Sequence, residues 1–147
     1  MEIVKVGKED TAIVSTIIST LIDSSDKKET VPDKDYLQKF IADDRTYLLA
    51  SFIDDLIVGY TLAYRFPSLY AAEYLAYLYD IEVLPQYRRK GVGRKLVEAI
   101  TEILKKDGVT ELWLGTAVDN VEGQALFQAT GAVKSGETFN DYTYYLA

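Results

Sequence analysis

Apolar residues recur along the chain with two periods, near four in some stretches and two in others, and the order of these stretches predicts a mixed α/β fold. Glu2 to Val6 alternates and reads as a short strand ended by Gly7. Ile13/Val14, Ile17/Ile18 and Leu21/Ile22 recur every four residues, which places them on one face of a helix capped by Thr11 or Asp10. Asp23 to Pro32 is polar and charged and reads as a loop. Asp33 then starts a second short helix carrying Tyr36, Leu37, Phe40 and Ile41. Thr46 to Ile53 and Leu56 to Phe66 are rich in β-branched, aromatic and aliphatic residues. Asp54-Asp55 joins them as a hairpin turn, so an antiparallel pair is expected.

Glu73 to Leu84 is a further aromatic-rich strand, stopped by Pro85. From Val92, the residues Leu96, Val97, Ile100, Ile103 and Leu104 share one face of a longer helix that Gly108 closes. Glu111 to Thr116 reads as a strand and Asn120 to Thr130 as a helix ended by Gly131. Ala132 to Ala147 is expected to add a last pair of short strands, with Tyr142, Tyr144 and Leu146 in period two. No internal repeat, linker or low-complexity tract interrupts residues 1–147, so a single domain is expected.

Composition narrows the chemistry. The 147 residues are 48% apolar and 12% aromatic, enough for a sizeable core. With no His and no Cys, the chain offers no thiol nucleophile, no Ser-His-Asp triad and no metal site of the usual nitrogen or sulfur ligands, so no metal is expected. Catalysis has to come from carboxylates, Tyr, Ser/Thr, Lys/Arg or backbone amides. Sixteen Lys and Arg against 23 Asp and Glu give a net charge of −7, which argues against nucleic acid or an anionic membrane as partner and suits a cationic small molecule. No apolar run approaches the roughly 18 to 20 residues of a membrane span, and the Met-Glu-Ile-Val-Lys start lacks the form of an export signal. A cytoplasmic location is therefore expected.

The most informative passage follows the Glu73–Leu84 strand, where Arg88-Arg89-Lys90-Gly91-Val92-Gly93 opens a helix. A helix start presents unpaired N–H groups and the positive end of the macrodipole, and glycines let a phosphate approach the main chain. Three basic residues add local positive charge in an acidic chain. The spacing fits neither the dinucleotide fingerprint nor a P-loop, since position 96 is Leu and no Gly-Lys-Ser/Thr run is present. Read alone, the pattern also suits a plain helix start.

The stretch from Tyr79 to Leu96, with its Arg88-Arg-Lys-Gly91-Val-Gly93 core, resembles the acyl-coenzyme A signature of the GNAT superfamily of N-acetyltransferases. Asn120-Val-Glu-Gly-Gln-Ala-Leu-Phe-Gln-Ala-Thr-Gly131 resembles the second motif of that family. The resemblance implies an α/β (α+β) GNAT fold: a mixed, mostly antiparallel sheet of about six to seven strands, flanked by about four helices and splayed between the fourth and fifth strands. It implies acetyl-CoA as co-substrate. Its pyrophosphate would meet the backbone of Arg89 to Arg94, including Lys90, Gly91, Val92 and Gly93, with Arg88 and Lys90 adding charge. Its arm would pair with the strand amides of Ile81 and Val83 and contact Asn120 and Phe127. Asn120 also reads as a helix cap.

Direct attack of an amine on a thioester needs a base, a polarised carbonyl and a leaving thiolate. Asp80 and Glu82 alternate on an otherwise apolar strand, on one face unless a bulge intervenes, and are the candidate catalytic carboxylates. The alternative is that this face of the strand is simply wet. Tyr77-Leu-Tyr79-Asp80 is most similar to the corresponding segment of aminoglycoside 3-N-acetyltransferases. Diamine and polyamine N-acetyltransferases share the Asp but generally place a Glu where this chain has Tyr79. The resemblance thus implies a polycationic amine met by Tyr79 and Asp80, with Glu137 and Asp141 as further contacts, and an antibiotic-resistance activity. Protein or peptide N-acetylation and a non-catalytic acyl-CoA-binding module are the alternatives. Where the family usually carries a Tyr that protonates the thiolate, this chain has Phe127, leaving Tyr142, Tyr144, water or no donor at all. Asp23 to Glu29, with Asp33 and Asp35, is placed by the family fold beside the acceptor, although a solvated loop explains it as well. The tyrosines and Phe66 between Tyr64 and Tyr77 suit either an acceptor wall or the interface of a homodimer.

Overall fold

The computed structural model describes residues 1–22 and 32–147, so the Asp23–Glu29 segment lies outside the described residues. The chain forms two compact units, Met1–Gly115 and Thr116–Ala147.

The first unit holds a five-stranded sheet in the order β1 (Glu2–Lys5), β2 (Thr46–Ile53), β3 (Leu56–Pro67), β4 (Tyr74–Val83) and β5 (Val109–Trp113). Neighbours from β1 to β4 run antiparallel, while β4 and β5 are parallel, as their connection through a helix demands. Helices α1 (Thr11–Thr20) and α2 (Lys34–Ala42) cover one face. Val14, Ile17, Leu37 and Ile41 pack there with Leu48, Ala50, Ile57 and Tyr60. Helix α3 (Val92–Lys106) covers the other face, where Val92, Leu96, Ile100 and Leu104 pack with Tyr47, Leu49, Val58, Ala63 and Leu78. The apolar stripe read along α3 is the one it buries, and Gly108 beyond its end takes φ +86°, a conformation that glycine adopts without strain. Asp54 and Asp55 both have positive φ, 49° and 64°, as a two-residue hairpin turn requires.

The second unit holds α4 (Val121–Ala129) and a tail. Here the sequence reading needs correction. Among the described residues the sheet has five strands, not six to seven, because Ala132 to Ala147 forms no strand. Alternation makes a strand only where a neighbouring strand takes up its backbone groups, and from Val133 on the single hydrogen bond among the described residues joins Glu137 N–H to Ser135 Oγ at 3.2 Å. Strand β5 also starts earlier than the pattern suggests, at Val109, whose side chain is buried against the α3 layer, and it ends at Trp113. Tyr36, expected on the apolar face of α2, is exposed.

Candidate functional site

Strand β4 is where the architecture stops being regular. Its first half, Tyr74 to Tyr77, pairs with β3 on one side and β5 on the other. Beyond Tyr77 and Trp113 the β5 ladder ends, so Leu78 to Val83 has a strand neighbour only in β3 among the described residues. The Leu84 N–H donates to the Val58 carbonyl at 2.8 Å, toward β3. Since backbone groups alternate along a strand, the N–H and C=O groups of Ile81 and Val83 point the other way, to the side without a strand. The Val83 carbonyl accordingly accepts a bond from Arg88 Nε at 3.0 Å.

A bulge sets which face the two carboxylates occupy. Leu62 lies opposite Asp80 and Ala63 opposite Leu78, which leaves Tyr79 as the extra residue. Ala76 and Leu78 before the bulge and Ile81 and Val83 after it all pack against the α3 layer. Strict alternation from Leu78 would send Asp80 into that layer. The bulge returns Asp80 and Glu82 to the opposite face, together, as the sequence suggested they would be. There the hydroxyl of Tyr60, buried in the α1/α2 layer, donates to Asp80 Oδ2, and Thr61 Oγ1 donates to the Asp80 carbonyl at 2.9 Å. The Asp80 carboxylate is thus held by a residue that carried no signal in the sequence, because only the β3–β4 register brings Tyr60 within reach. Glu82 faces Arg88, with Oε2 3.6 Å from a guanidinium nitrogen; both side chains are about half exposed (45% and 47%), so the pair contributes little to stability.

Past Leu62 the same face is open and carries rings. Tyr64 meets Tyr79 edge-on at 5.9 Å, Tyr77 meets Tyr79 at 6.4 Å, and Trp113 meets Tyr77 at 5.5 Å and Phe66 at 5.4 Å. Tyr79 is 66% exposed and Trp113 42%. Burial, with the nearby phenols of Tyr79 and Tyr36, pushes the Tyr64 hydroxyl above its ordinary pKa, so it stays a neutral donor.

Val83 leads through the short turn Pro85–Tyr87 into the start of α3. Gly91 takes φ +82° and Arg89 φ +60°, the left-handed region. No side chain caps this helix, its first turn has no acidic residue, and its first intrahelical bond is Lys95 N–H to the Gly91 carbonyl at 3.1 Å. The amides of Val92, Gly93 and Arg94 therefore lack intrahelical acceptors. A Cβ at Gly91 would meet nothing within 4 Å, so the approach to this backbone is open. Arg88 reaches back to β4, Lys90 lies 5.6 Å from the Tyr87 ring, and Arg94 bonds Glu98 at 3.0 Å. This donor set fits the diphosphate of a nucleotide-like group. Gly59, not singled out in the sequence, lies beneath: a Cβ there would come within 3.0 Å of the Glu82 carbonyl and 3.2 Å of Val92, so a side chain would push the helix start off the sheet.

In the second unit, Asn120 caps α4 by accepting from Gly123 N–H at 3.0 Å while its amide donates to Thr116 Oγ1 at 2.9 Å. The oxygen end of that side chain is thus a helix cap, and its amide end is taken up by Thr116. Phe127 is the buried residue of α4, and Glu137 and Asp141 are exposed on the tail.

A model of the Acetyltransferase (GNAT) family matches residues 15–132. The chain is 41% identical over 56 residues to the [Ribosomal protein bS18]-alanine N-acetyltransferase of Escherichia coli (strain K12), a stretch covering 38% of each protein. It is 34% identical over 77 residues to the Thialysine N-epsilon-acetyltransferase of Mus musculus, covering 52% of this chain and 45% of that one. The chain thus spans less than half the length of these curated relatives. Among solved structures, an aminoglycoside acetyltransferase from an uncultured soil metagenomic sample, in complex with sisomicin, superposes with a TM-score of 0.90 at 23% identity, over 99% of this chain and 96% of the other. The Ribosomal-protein-alanine N-acetyltransferase from Brucella melitensis biovar Abortus 2308 superposes with a TM-score of 0.72 at 17% identity, over 97% of this chain and 100% of the other. At these identities the likeness is one of fold.

Proposed function

Because the chain belongs to the GNAT acetyltransferase family, we propose that it transfers an acetyl group from acetyl-CoA to a primary amine of a small polycation, an aminoglycoside with its 3-amino group as the expected acceptor. The observation that carries this reading is the second half of β4. It has a side with no strand beside it among the described residues, a carboxylate fixed by Tyr60 on one face, and an uncapped, basic helix start at its end. Residues 1–147 act as one N-acetyltransferase domain.

Acetyl-CoA supplies an acetyl group activated as a thioester. The chain's own part is to bind, orient and move a proton. The amides of Val92 to Arg94, with Arg88, Arg89, Lys90 and Gly91 around them, hold the diphosphate. The outward N–H groups of Ile81 and Val83 hold the arm and polarise the acyl carbonyl. The Asp80 carboxylate takes a proton from the substrate ammonium, freeing the nitrogen lone pair. A C–N bond then forms, the nitrogen gives up its remaining excess proton to solvent, the C–S bond breaks, and the thiolate leaves. Phe127 has no proton to give, so the thiolate takes one from solvent. Glu82 is held toward Arg88 and serves as an electrostatic neighbour of Asp80 more than as a second base.

The polycation reading draws support from the net charge of −7, from the open ring surface beside Asp80, which suits the apolar faces of sugar rings, and from the shared fold with the aminoglycoside acetyltransferase. Tyr79 is the further contact proposed for the amino groups. Such an enzyme would act in the cytoplasm as an antibiotic-resistance factor. The alanine N-acetyltransferase relatives favour a second reading, acetylation of a protein N-terminus. Thiol release from acetyl-CoA in the presence of aminoglycosides, polyamines or alanine-terminated peptides tests both. The highest kcat/KM is expected with an aminoglycoside. A preference for peptides moves the assignment to the second reading, and binding of acetyl-CoA with no amine accelerating release reduces the protein to an acyl-CoA-binding module.

A further inference from the structure

Four tyrosines from three elements gather on the open face beside Asp80. Tyr64 and Tyr77 lie opposite each other on β3 and β4, and the bulged Tyr79 stands nearly perpendicular to both, at 84° to Tyr64 and 78° to Tyr77. Tyr36, in the first turn of α2, is the fourth. Its phenol is near enough to that of Tyr64 to oppose its ionisation, as the phenol of Tyr79 does. Two observations set this group apart from the other tyrosines of the unit. The buried pair use their hydroxyls within the fold, Tyr47 donating to Asp107 and Tyr60 to Asp80, whereas the hydroxyls of Tyr36, Tyr64, Tyr77 and Tyr79 make no hydrogen bond among the described residues. For Tyr64, half-buried and kept neutral by that burial, a missing partner is unusual, since a phenol taken out of water normally finds one. The second observation concerns charge. Tyr47, Tyr74 and Tyr87 each hold a cation of the chain over the ring, Lys5 and Arg65 at 4.7 Å and Lys90 at 5.6 Å. Among the described residues, none of the four rings beside Asp80 has one.

We propose that Tyr64, with Tyr36 and Tyr79 around it, is a second subsite for the acceptor and takes an ammonium group other than the one that reacts at Asp80. The inference rests on the reading of the acceptor as a polycationic amine and adds which residues read its second charge. The ammonium donates to the Tyr64 phenol oxygen, and the neighbouring rings offer it their negative faces. An arrangement of neutral phenols binds a cation without a further carboxylate, so it does not compete with Asp80 for the reacting group. Tyr64 lies two residues along β3 from Leu62, the residue opposite Asp80, which sets the two subsites roughly 7 Å apart along the strand. A monoamine fills one of them. A molecule with amines fixed on one ring, or on neighbouring rings, fills both and loses little freedom in doing so.

Calorimetric titration and thiol release on the full chain, with sisomicin, 2-deoxystreptamine and glucosamine as probes, test the subsite. The first two carry several amines on rings, and glucosamine carries one. Tyr64→Phe keeps the ring and removes the hydroxyl. It is expected to raise Kd and KM for sisomicin and 2-deoxystreptamine roughly tenfold, the worth of one hydrogen bond to a charged group, and those for glucosamine less than about twofold. Tyr36→Leu, which removes an exposed ring, is expected to show the same selectivity at roughly threefold, with unchanged far-UV circular dichroism in both variants. Equal effects on all the probes, or no effect on any, overturn the subsite even where acetyl is transferred. A loss confined to the probes with several amines, in a protein that transfers acetyl to none of them, leaves the subsite standing and removes the acetyltransferase reading instead. An unaltered protein that binds no probe overturns the subsite outright.

Discussion

The two halves of β4 are one continuous strand with different physical situations. Tyr74 to Tyr77 is hydrogen-bonded on both sides, and its residues pack: Ala76 is fully buried and the Tyr74 ring stacks under Arg65 at 4.7 Å. Leu78 to Val83 has a strand neighbour on one side only among the described residues, and it carries the two carboxylates and the outward amides. The α3 layer backs both halves, with Ala76 and Leu78 buried in it and Ile81 and Val83 partly buried against it. A site built this way needs no flexible loop to present its groups, since an ordinary core fixes them from behind.

Substitutions can separate the two halves. The largest effect is expected at Asp80. Asp80→Asn should lower kcat by roughly 10² to 10⁴ while leaving affinity for acetyl-CoA and the thermal midpoint nearly unchanged. Tyr60→Phe, which releases that carboxylate, should lower kcat by roughly tenfold, the worth of one hydrogen bond to a charged group, and should have little further effect in the Asp80→Asn background. Equal loss of stability and turnover in Asp80→Asn would make the second half as structural as the first. Next comes the helix start that the second half leads into. Gly91→Val places a β-branched residue at φ +82° and should weaken acetyl-CoA binding by roughly tenfold or more, measured calorimetrically, with the apo protein losing about 1 to 3 kcal/mol. Unchanged affinity would leave α3 as a plain helix. The smallest effect belongs behind the paired half, at Tyr47, whose hydroxyl donates to Asp107 at 2.6 Å and is pushed up to about 12 by burial and by that bond. A raised tyrosine pKa favours the neutral folded form. Its contribution is complete below pH 10, the value for an unfolded tyrosine, and is lost as pH rises through about 12. Tyr47→Phe should cost about 1 kcal/mol at neutral pH and flatten the fall in urea midpoint between pH 10 and 12, with kcat unaffected.

What could be read from the sequence followed local physics. The α3 stripe, the Asp54-Asp55 hairpin, the glycines at 108 and 131, and the caps at Asp33 and Asn120 all depend on residues a few positions apart, and each appears where the pattern put it. The joining of Asp80, Glu82 and the Arg88–Gly93 loop to one strand and its sequel was legible for the same reason. Tyr60, Thr61 and Gly59 were not. Their roles arise from pairing about 20 residues along the chain, in a register that the Tyr79 bulge shifts. Glu82 had two readings in the sequence, and only the fold shows Arg88 opposite it. The tail misled because alternation reports what a strand would bury, and says nothing about whether a neighbouring strand takes up its backbone groups.

The extra residue at Tyr79 has a consequence for how this chain tolerates change. It divides β4 into two stretches with independent phase, so that odd and even positions exchange meaning at one point. Substitutions on either side can conserve their own alternation separately. Loss of the bulge with Tyr79 kept in the strand, by contrast, would act like a frameshift in the folded state: Asp80 and Glu82 would be directed into the oil of the α3 layer, and Ile81 and Val83 onto the opposite face. A strand that must hold both a core and a reactive group can thus keep them apart with one residue out of step.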